Sequence, residues 1–179
     1  MIRVLLDNPK YPHNVGGAYR AAACFDADEV WVDGERVPLE PSEGYRLPRE
    51  ERLRVYRNEV KLRKIDKGYF RFGAERNKFT PVVVEVSETA EQLHHFIHPE
   101  DAVYIFGPED GSVSRYYREA GHRFVVIPSY HCLNLAGAVY TVLYDRIAKR
   151  RREGLEPEMP SSMLMGGEGR GYAEHYPSS

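Results

Sequence analysis

The residues best suited to chemistry sit at two turns and on one helix. Val103–Phe106 is a short apolar run that breaks at Gly107-Pro108-Glu109-Asp110-Gly111, and Phe124–Ile127 repeats the pattern before Pro128-Ser129-Tyr130-His131. β-Branched and aromatic runs of this length suit buried strands. In an open α/β sheet, ligands bind outside the carboxyl ends of the strands, so both turns are candidate ligand loops. Upstream, Asn14 and Arg20 bring an amide and a guanidinium to a predicted helix that has Gly16-Gly17 in its first turn. Each glycine costs a helix roughly 1 kcal/mol relative to alanine. That cost points either to close approach of another group or to small-residue contact between helices. Singly, each residue has an ordinary reading: Asn14 as an N-cap, Glu109 as a turn hydrogen-bonding group, Arg20 as a solvated charge.

A second chemistry comes from charge. Residues 35–80 hold 13 Lys/Arg against 8 Asp/Glu, on a chain whose net charge is −2. Arg54, Arg57, Lys61, Arg63, Lys64, Lys67 and Arg71 interleave there with Tyr56, Tyr69, Phe70 and Phe72. Cations set between aromatic rings suit phosphates and unstacked bases, so RNA or DNA is the candidate partner. A solvated surface loop whose aromatics reach the core explains the pattern equally well.

The remaining composition narrows the class. A chain of 179 residues, 42% hydrophobic and 29% charged, describes one globular domain with a core of ordinary size. Cys24 and Cys132 form neither a metal-ligand spacing nor a disulfide framework. No metal is expected, and a cytoplasmic location fits. No apolar run approaches the roughly 20 residues needed to span a bilayer, and residues 1–6 lack the apolar region of a signal peptide.

The elements that must position the candidate residues follow from periodicity. Ile2–Leu6 reads as a strand, Val15–Phe25 as a helix and Glu29–Val32 as a second strand. That βαβ unit implies a parallel sheet. Pro48–Arg57 reads as a helix with proline at its first position, and Val60–Ile65 as a strand or an extension of that helix. Pro81–Val86 reads as a third strand, Thr89–Ile97 as a short helix, and Ser112–Ala120 as a helix ended by Gly121. From Leu133 the apolar period becomes helical and runs to Ile147. The fold class is α/β, a mostly parallel sheet flanked by helices. Residues 1–153 form the domain, and 154–179, rich in Gly, Pro, Ser and Met, a flexible tail.

Three blocks in order carry a resemblance. Asn8-Pro9 through Pro12-His13-Asn14-Val15-Gly16 to Arg20 resembles the N-P-x-N-x-G-x-x-x-R block of the SPOUT superfamily of RNA methyltransferases, in its TrmH-like (SpoU) ribose 2′-O branch. Ile105-Phe106-Gly107-Pro108-Glu109-Asp110-Gly111 is similar to its G-x-E-x-x-G block, and Ile127-Pro128 with Leu133-Asn134-Leu135-Ala136 to its I-P and S-L-N block. The resemblance spans the chain to about Arg150. It implies a sheet of five or six strands whose C-terminal part is tied in a deep trefoil knot. It also implies S-adenosylmethionine as cofactor, and a homodimer packed through the first and last helices.

Site residues follow from the same resemblance. Phe106, Gly107, Pro108, Glu109, Ile127, Ser129, Leu133, Leu135 and Ala136 would hold the cofactor. An adenine needs an apolar slot with a few backbone partners, which these residues can supply. Arg20 would hold the target phosphate and hydroxyl and assist deprotonation. A guanidinium stays protonated, so it is an electrostatic positioner first and a base second. Asn14 would fix its loop or touch the ribose, Glu109 would orient Arg20 or a dimer partner, and Asn134 would cap the last helix or hold the knot loop. Arg20, Arg54, Arg57, Lys61 and Arg63 would contact RNA, tRNA before rRNA. Cys132 departs from the family's usual serine, and a thiol is the weaker hydrogen-bonding group. The alternatives are a knotted RNA-binding or assembly protein without catalysis, and methyl transfer to a base nitrogen.

Overall fold

The computed structural model describes residues 1–39, 60–72, 78–121 and 123–158. The order of elements is β1 (Ile2–Asp7), α1 (Pro12–Cys24), β2 (Glu29–Asp33), β3 (Lys61–Ile65), α2 (Lys67–Phe72) and β4 (Thr80–Val84). There follow β5 (Glu91–Gln92), a 3-10 turn at Leu93–His95, β6 (Ala102–Phe106), α3 (Arg115–Ala120), β7 (Arg123–Val126) and α4 (Leu135–Arg152). The strands form one sheet in the order β3-β2-β1-β6-β4-β7-β5, and every pairing is parallel. The sheet thus has seven strands among the described residues, where five or six were expected. The surplus comes from the edges: β3 resolves the ambiguity at Val60–Ile65 as a strand, and β5 is a two-residue addition to β7.

The core follows the strand period of two, which sends alternate side chains to opposite faces. Val4, Leu6, Tyr104 and Phe106 face one layer with Val15, Ala18, Tyr19 and Ala22 of α1 and with Val139 and Leu143 of α4. Leu5, Val103, Ile105 and Trp31 face the other, with Phe70 and Tyr117. α1 buries positions 15, 18, 19 and 22, the stripe of an amphipathic helix. Gly17 is needed for contact between helices, since a Cβ there would stand 2.7 Å from the Cβ of Ala136.

Three local expectations change. α1 starts at Pro12, with Tyr11 at the N-cap, so Asn14 lies inside the first turn and its side chain is free for a distant partner. Proline at a first helical position loses no bond, because that N–H has no intrahelical acceptor. Thr89–Ile97 is not a helix. Glu91-Gln92 bond β7, and a single 3-10 turn suffices to bury Leu93 and Phe96. The helix expected over 112–120 begins only at Arg115, with Ser114 non-helical (ψ 150°) at its N-cap; the N–H groups of Val113 and Ser114 bond the carboxylates of Glu85 (2.9 Å) and Asp7 (2.6 Å). The helix predicted over 48–57 lies outside the described residues.

The chain divides into two compact units, Met1–Arg146 and Ile147–Ser179. The described part of the second unit ends α4 with the N–H of Leu155 on the carbonyl of Arg150 (2.8 Å) and that of Gly154 on Arg151 (2.9 Å). Gly154 sits at φ +70°, the left-handed conformation such a C-terminal motif requires. No described helix is long and apolar enough to cross a membrane.

One buried tie fastens β3 to α1. The Tyr19 hydroxyl donates to the carbonyl of Val60 (2.7 Å) and accepts from its N–H (3.1 Å). Tyr19→Phe leaves both backbone groups unpaired out of water, so it should lower unfolding free energy by about 1–3 kcal/mol. Urea denaturation of the two proteins measures the difference, and an unchanged midpoint would contradict the account.

Candidate functional site

All strands being parallel, all their carboxyl ends share one edge of the sheet, and the loops leaving them meet there. β2, β1 and β6 are neighbours, so the loops at Gly34–Val37, Asn8–Tyr11 and Gly107–Gly111 emerge side by side. The first two lie in contact. Asn8 sits at φ +52° and donates its N–H to the Asp33 carbonyl at 2.7 Å, while a Cβ on Gly34 (φ +106°) would come within 2.9 Å of the Asn8 Cα. Only glycine fits there, on both counts.

The Gly107–Gly111 loop locks onto the Asn8–Tyr11 loop through Glu109. Its carboxylate accepts the N–H of Lys10 (2.7 Å), the N–H of Tyr11 (3.3 Å) and the side-chain Nδ2 of Asn14 (2.6 Å). Burial pushes the Glu109 carboxyl up, but the hydrogen bond from Asn14 and those from the backbone of Lys10 and Tyr11 outweigh it. The group lies below the ordinary glutamate value. Asn14 and Glu109 are therefore brought together, and Arg20 lies farther along the helix that carries Asn14. Arg20 itself is half-buried on α1. The loop can double back because Gly107 has no side chain: a Cβ there would stand 2.7 Å from the Val113 nitrogen.

The next residue, Asp110, faces outward. Arg36 grips it with two bonds, Nη1 to Oδ1 at 2.9 Å and Nη2 to Oδ2 at 2.8 Å, and Lys10 Nζ lies 3.3 Å from Oδ2. The hydrogen bond from Arg36 holds the Asp110 carboxyl well below the usual carboxylate range.

Farther along the edge, the ends of β4, β5 and β7 enclose a cleft of about 490 Å³. Val84, Ile127 and Leu133 give it apolar walls, and Glu85, Gln92 and Ser129 polar ones. Of the nine residues expected to hold a cofactor, Ile127, Ser129 and Leu133 line this cleft. Phe106 and Leu135 are buried in the core, and Ala136 packs at Gly17. Gly107, Pro108 and Glu109 shape the neighbouring loop. Glu85 and Gln92 were missed by the sequence reading. Glu85 directly follows β4 and Gln92 ends β5, and the rule that ligands sit beyond strand ends applied to the strand expected at Pro81–Val86 as much as to the two that were used. Cys132 is exposed and lines the cleft. Asn134 caps α4, its Oδ1 accepting the Gly137 N–H at 2.6 Å.

Of the residues expected to meet RNA, Lys61 and Arg63 are exposed on β3, with Arg63 Nε 3.3 Å from Glu29. Arg54 and Arg57 lie outside the described residues. No group of three or more potential metal ligands occurs among the described residues.

The chain is a parallel α/β sheet with a polar loop junction and a cleft on its carboxyl edge, the edge at which open α/β sheets take their ligands. The comparisons specify the family. The profile described as the SpoU rRNA Methylase family matches residues 1–144, and the chain belongs to that family. No curated protein matches the sequence. Among solved structures, the chain is similar to an A. aeolicus TrmH/SpoU tRNA modifying enzyme, at 19% identity and TM-score 0.71, over 92% of this chain and 84% of that one. It is similar to the SpoU methyltransferase AviRb from Streptomyces viridochromogenes in complex with the cofactor AdoMet, at 21% identity and TM-score 0.69, over 83% of this chain. The chain spans only 57% of the length of that AviRb structure, and 61% of a second structure of the same protein. The chain is also similar to a solved structure concerned with 2-OH methylation of C/U34 on tRNA, at 24% identity and TM-score 0.62, over 86% of this chain and 97% of that one.

Glu109→Gln turns an acceptor into an amide whose NH₂ faces other donors. At pH 7 it should cost about 1 kcal/mol, the low end for an unmatched donor because the junction is half-open. The folded-state pKa of Glu109 is depressed, so its contribution is present above the unfolded value and lost as pH falls through the folded one. The gap between wild type and variant should therefore be full near neutrality and close below the ordinary glutamate range. Thermal unfolding against pH measures it, and a gap that stays constant into acid would refute the assignment.

Proposed function

We propose that this protein is an S-adenosylmethionine-dependent RNA methyltransferase that modifies a ribose 2′-hydroxyl, with tRNA as the first substrate and rRNA as the second. One observation carries the reading: the three sequence blocks converge on one edge of the sheet. Asn14 of the first lies 2.6 Å from Glu109 of the second, and Ile127, Ser129 and Leu133 of the third line the adjoining cleft. Membership of the SpoU family supports the reaction class.

The cleft fits the proposed cofactor. Its volume of about 490 Å³ lies in the usual small-molecule range of roughly 300–1,000 Å³, with apolar walls for a base and a few polar groups for orientation. S-Adenosylmethionine supplies, when bound, a methyl group on a sulfonium. The chain's own residues do the rest. Ile127 and Leu133 hold the adenine side, and the loop at Gly107–Gly111 closes the neighbouring wall. Arg20 binds the target phosphate and hydroxyl from α1, and stabilises the oxygen as its proton passes to solvent water. Asn14, held by Glu109, fixes the loop before Arg20.

The same reading makes the protein a cytoplasmic homodimer packed through α1 and α4. Phe25 after α1 meets Tyr140 and Tyr144 of α4 at ring distances of 6.1 and 5.8 Å, and Tyr144 is 61% exposed, an aromatic face suited to a second copy. It also includes the trefoil knot. The chain passes from β6 beyond β4 to β7 and then returns, through Ala136, to Gly17. Exposed Lys61 and Arg63 extend the RNA surface.

Methyl transfer from labelled cofactor to bulk tRNA and rRNA, followed by alkaline digestion, tests the reading. Label is expected in alkali-resistant dinucleotides, because a 2′-O-methyl group blocks cleavage of its own linkage. Arg20→Ala should reduce kcat by roughly 10²–10³-fold, as loss of one transition-state donor does, with cofactor affinity unchanged. Label in alkali-labile nucleotides would move the methyl group to a base, and no transfer to any RNA would leave a binding protein.

A further inference from the structure

The pair Arg36–Asp110 is not used by the chemistry above, yet it stands where three loops meet. Arg36 follows β2, Asp110 follows β6, and Lys10 and Asn8 follow β1. The guanidinium takes both oxygens of Asp110 at 2.9 and 2.8 Å, and its Nη1 also lies 3.4 Å from the Asn8 carbonyl. Lys10 closes the group from the first loop, with Nζ 3.3 Å from Asp110. A surface ion pair is ordinarily worth little. A bidentate arginine–carboxylate pair differs, because two parallel bonds fix orientation as well as distance.

Orientation matters here because Asp110 is bonded to Glu109. The backbone between them sends the two carboxylates in opposite senses, Glu109 inward to the N–H groups of Lys10 and Tyr11 and to Asn14, Asp110 outward to Arg36. Arg36 is itself held in place. Gly34 turns tightly against Asn8, where no other residue fits, and Val37 is buried at 1% exposure one position after Arg36. A charge on a fixed stem therefore pins one end of the Gly107–Gly111 loop, and the neighbouring residue delivers that constraint to the first turn of α1. Lys10 joins both ends, giving its N–H to Glu109 and its ammonium to Asp110.

We propose that Arg36 is a positioning residue of the reaction, which clamps Asp110 so that Glu109 holds Asn14 and the start of α1 in the arrangement that presents Arg20. The kinetic part of this rests on the methyltransferase reading; the clamp does not. It distinguishes Arg36 from a phosphate-binding cation, the obvious alternative for an arginine beside a proposed RNA site. A phosphate contact would be hindered by Asp110, which competes for the same guanidinium. A clamp needs it.

The test uses the full chain with Arg36→Ala, Asp110→Ala, the double variant and Arg36→Lys. Amide hydrogen exchange at Lys10 is the direct readout. Exchange about tenfold faster in both single variants, with β1 and β6 still protected, is the expected result. Exchange as in wild type would overturn the clamp whether or not the protein methylates RNA. With labelled cofactor and RNA, both single variants should lose roughly tenfold in kcat at unchanged KM for the cofactor. The double should be no worse than either single, since all three break one unit. Arg36→Lys should recover only part of the loss, because a lysine makes one bond in place of the fork. Tighter RNA binding in Asp110→Ala with weaker binding in Arg36→Ala would make Arg36 a phosphate contact and refute the proposal. Absence of methyl transfer in the wild type would remove the proposed function alone, and the exchange measurement would still decide the clamp.

Discussion

The carboxylate of Glu109 is the interaction on which the arrangement of the candidate site depends. A helix begins with N–H groups that have no partner inside it, and these are normally met by a capping side chain. α1 has none: Tyr11 at its N-cap makes no side-chain bond, and its first turn holds no acidic residue. Glu109, 95 to 99 positions away in sequence, accepts the N–H groups of Lys10 and Tyr11 just before the helix and the side-chain amide of Asn14 within it. A negative group near the start of a helix is also favoured by the helix dipole. One side chain thus satisfies two backbone donors and joins the loop after β6 to the loop after β1 and to the first turn of α1.

That contact is possible only because of strand order. β6 is inserted between β1 and β4, although it comes later in the chain than either. Its loop therefore stands between two groups of strand ends. On one side β1 and β2 deliver Asn14, Lys10 and Arg36; on the other β4, β5 and β7 enclose the apolar cleft. The Gly107–Gly111 loop is thus flanked by the polar junction on one side and by the cleft on the other.

The sheet beneath is stiffened by polar groups as well as by apolar packing. Arg3 is 1% exposed, with its guanidinium 5.2 Å from the Trp31 ring and 5.3 Å from Phe79. Trp31 in turn donates its ring N–H to Glu29 at 2.6 Å. On the other face the His98 ring joins Tyr104 (2.7 Å) to Asp145 of α4 (2.8 Å), and burial pushes the Tyr104 hydroxyl above its ordinary value. Buried polar groups are costly unless each finds a partner, so these sets fix which neighbours the strands and helices accept.

Much of the frame was legible in the sequence. Strands at Val4, Val30, Val103 and Val125 and helices over Val15–Ala22 and Leu135–Ile147 announce themselves through apolar period, which depends on neighbouring residues only. The helix expected at Thr89–Ile97 failed for the same reason: Leu93 and Phe96, three apart, suit one 3-10 turn as well as a helix, and the pairing of Glu91-Gln92 with β7 decided between them. Asn14 shows the boundary most clearly. Its type and place suggested a cap, the commonest local use of asparagine, whereas its amide serves a carboxylate 95 positions away in sequence. The roles of Glu109, Asp110, Arg36 and Glu85 likewise rest on partners many residues distant, and such bonds leave no periodic trace. The sequence by itself determined which segments become strands and helices and which blocks bear reactive groups, because those properties are set by short-range spacing. Only the tertiary structure decided which groups face one another, because a hydrogen bond across loops is fixed by the order in which parallel strands assemble.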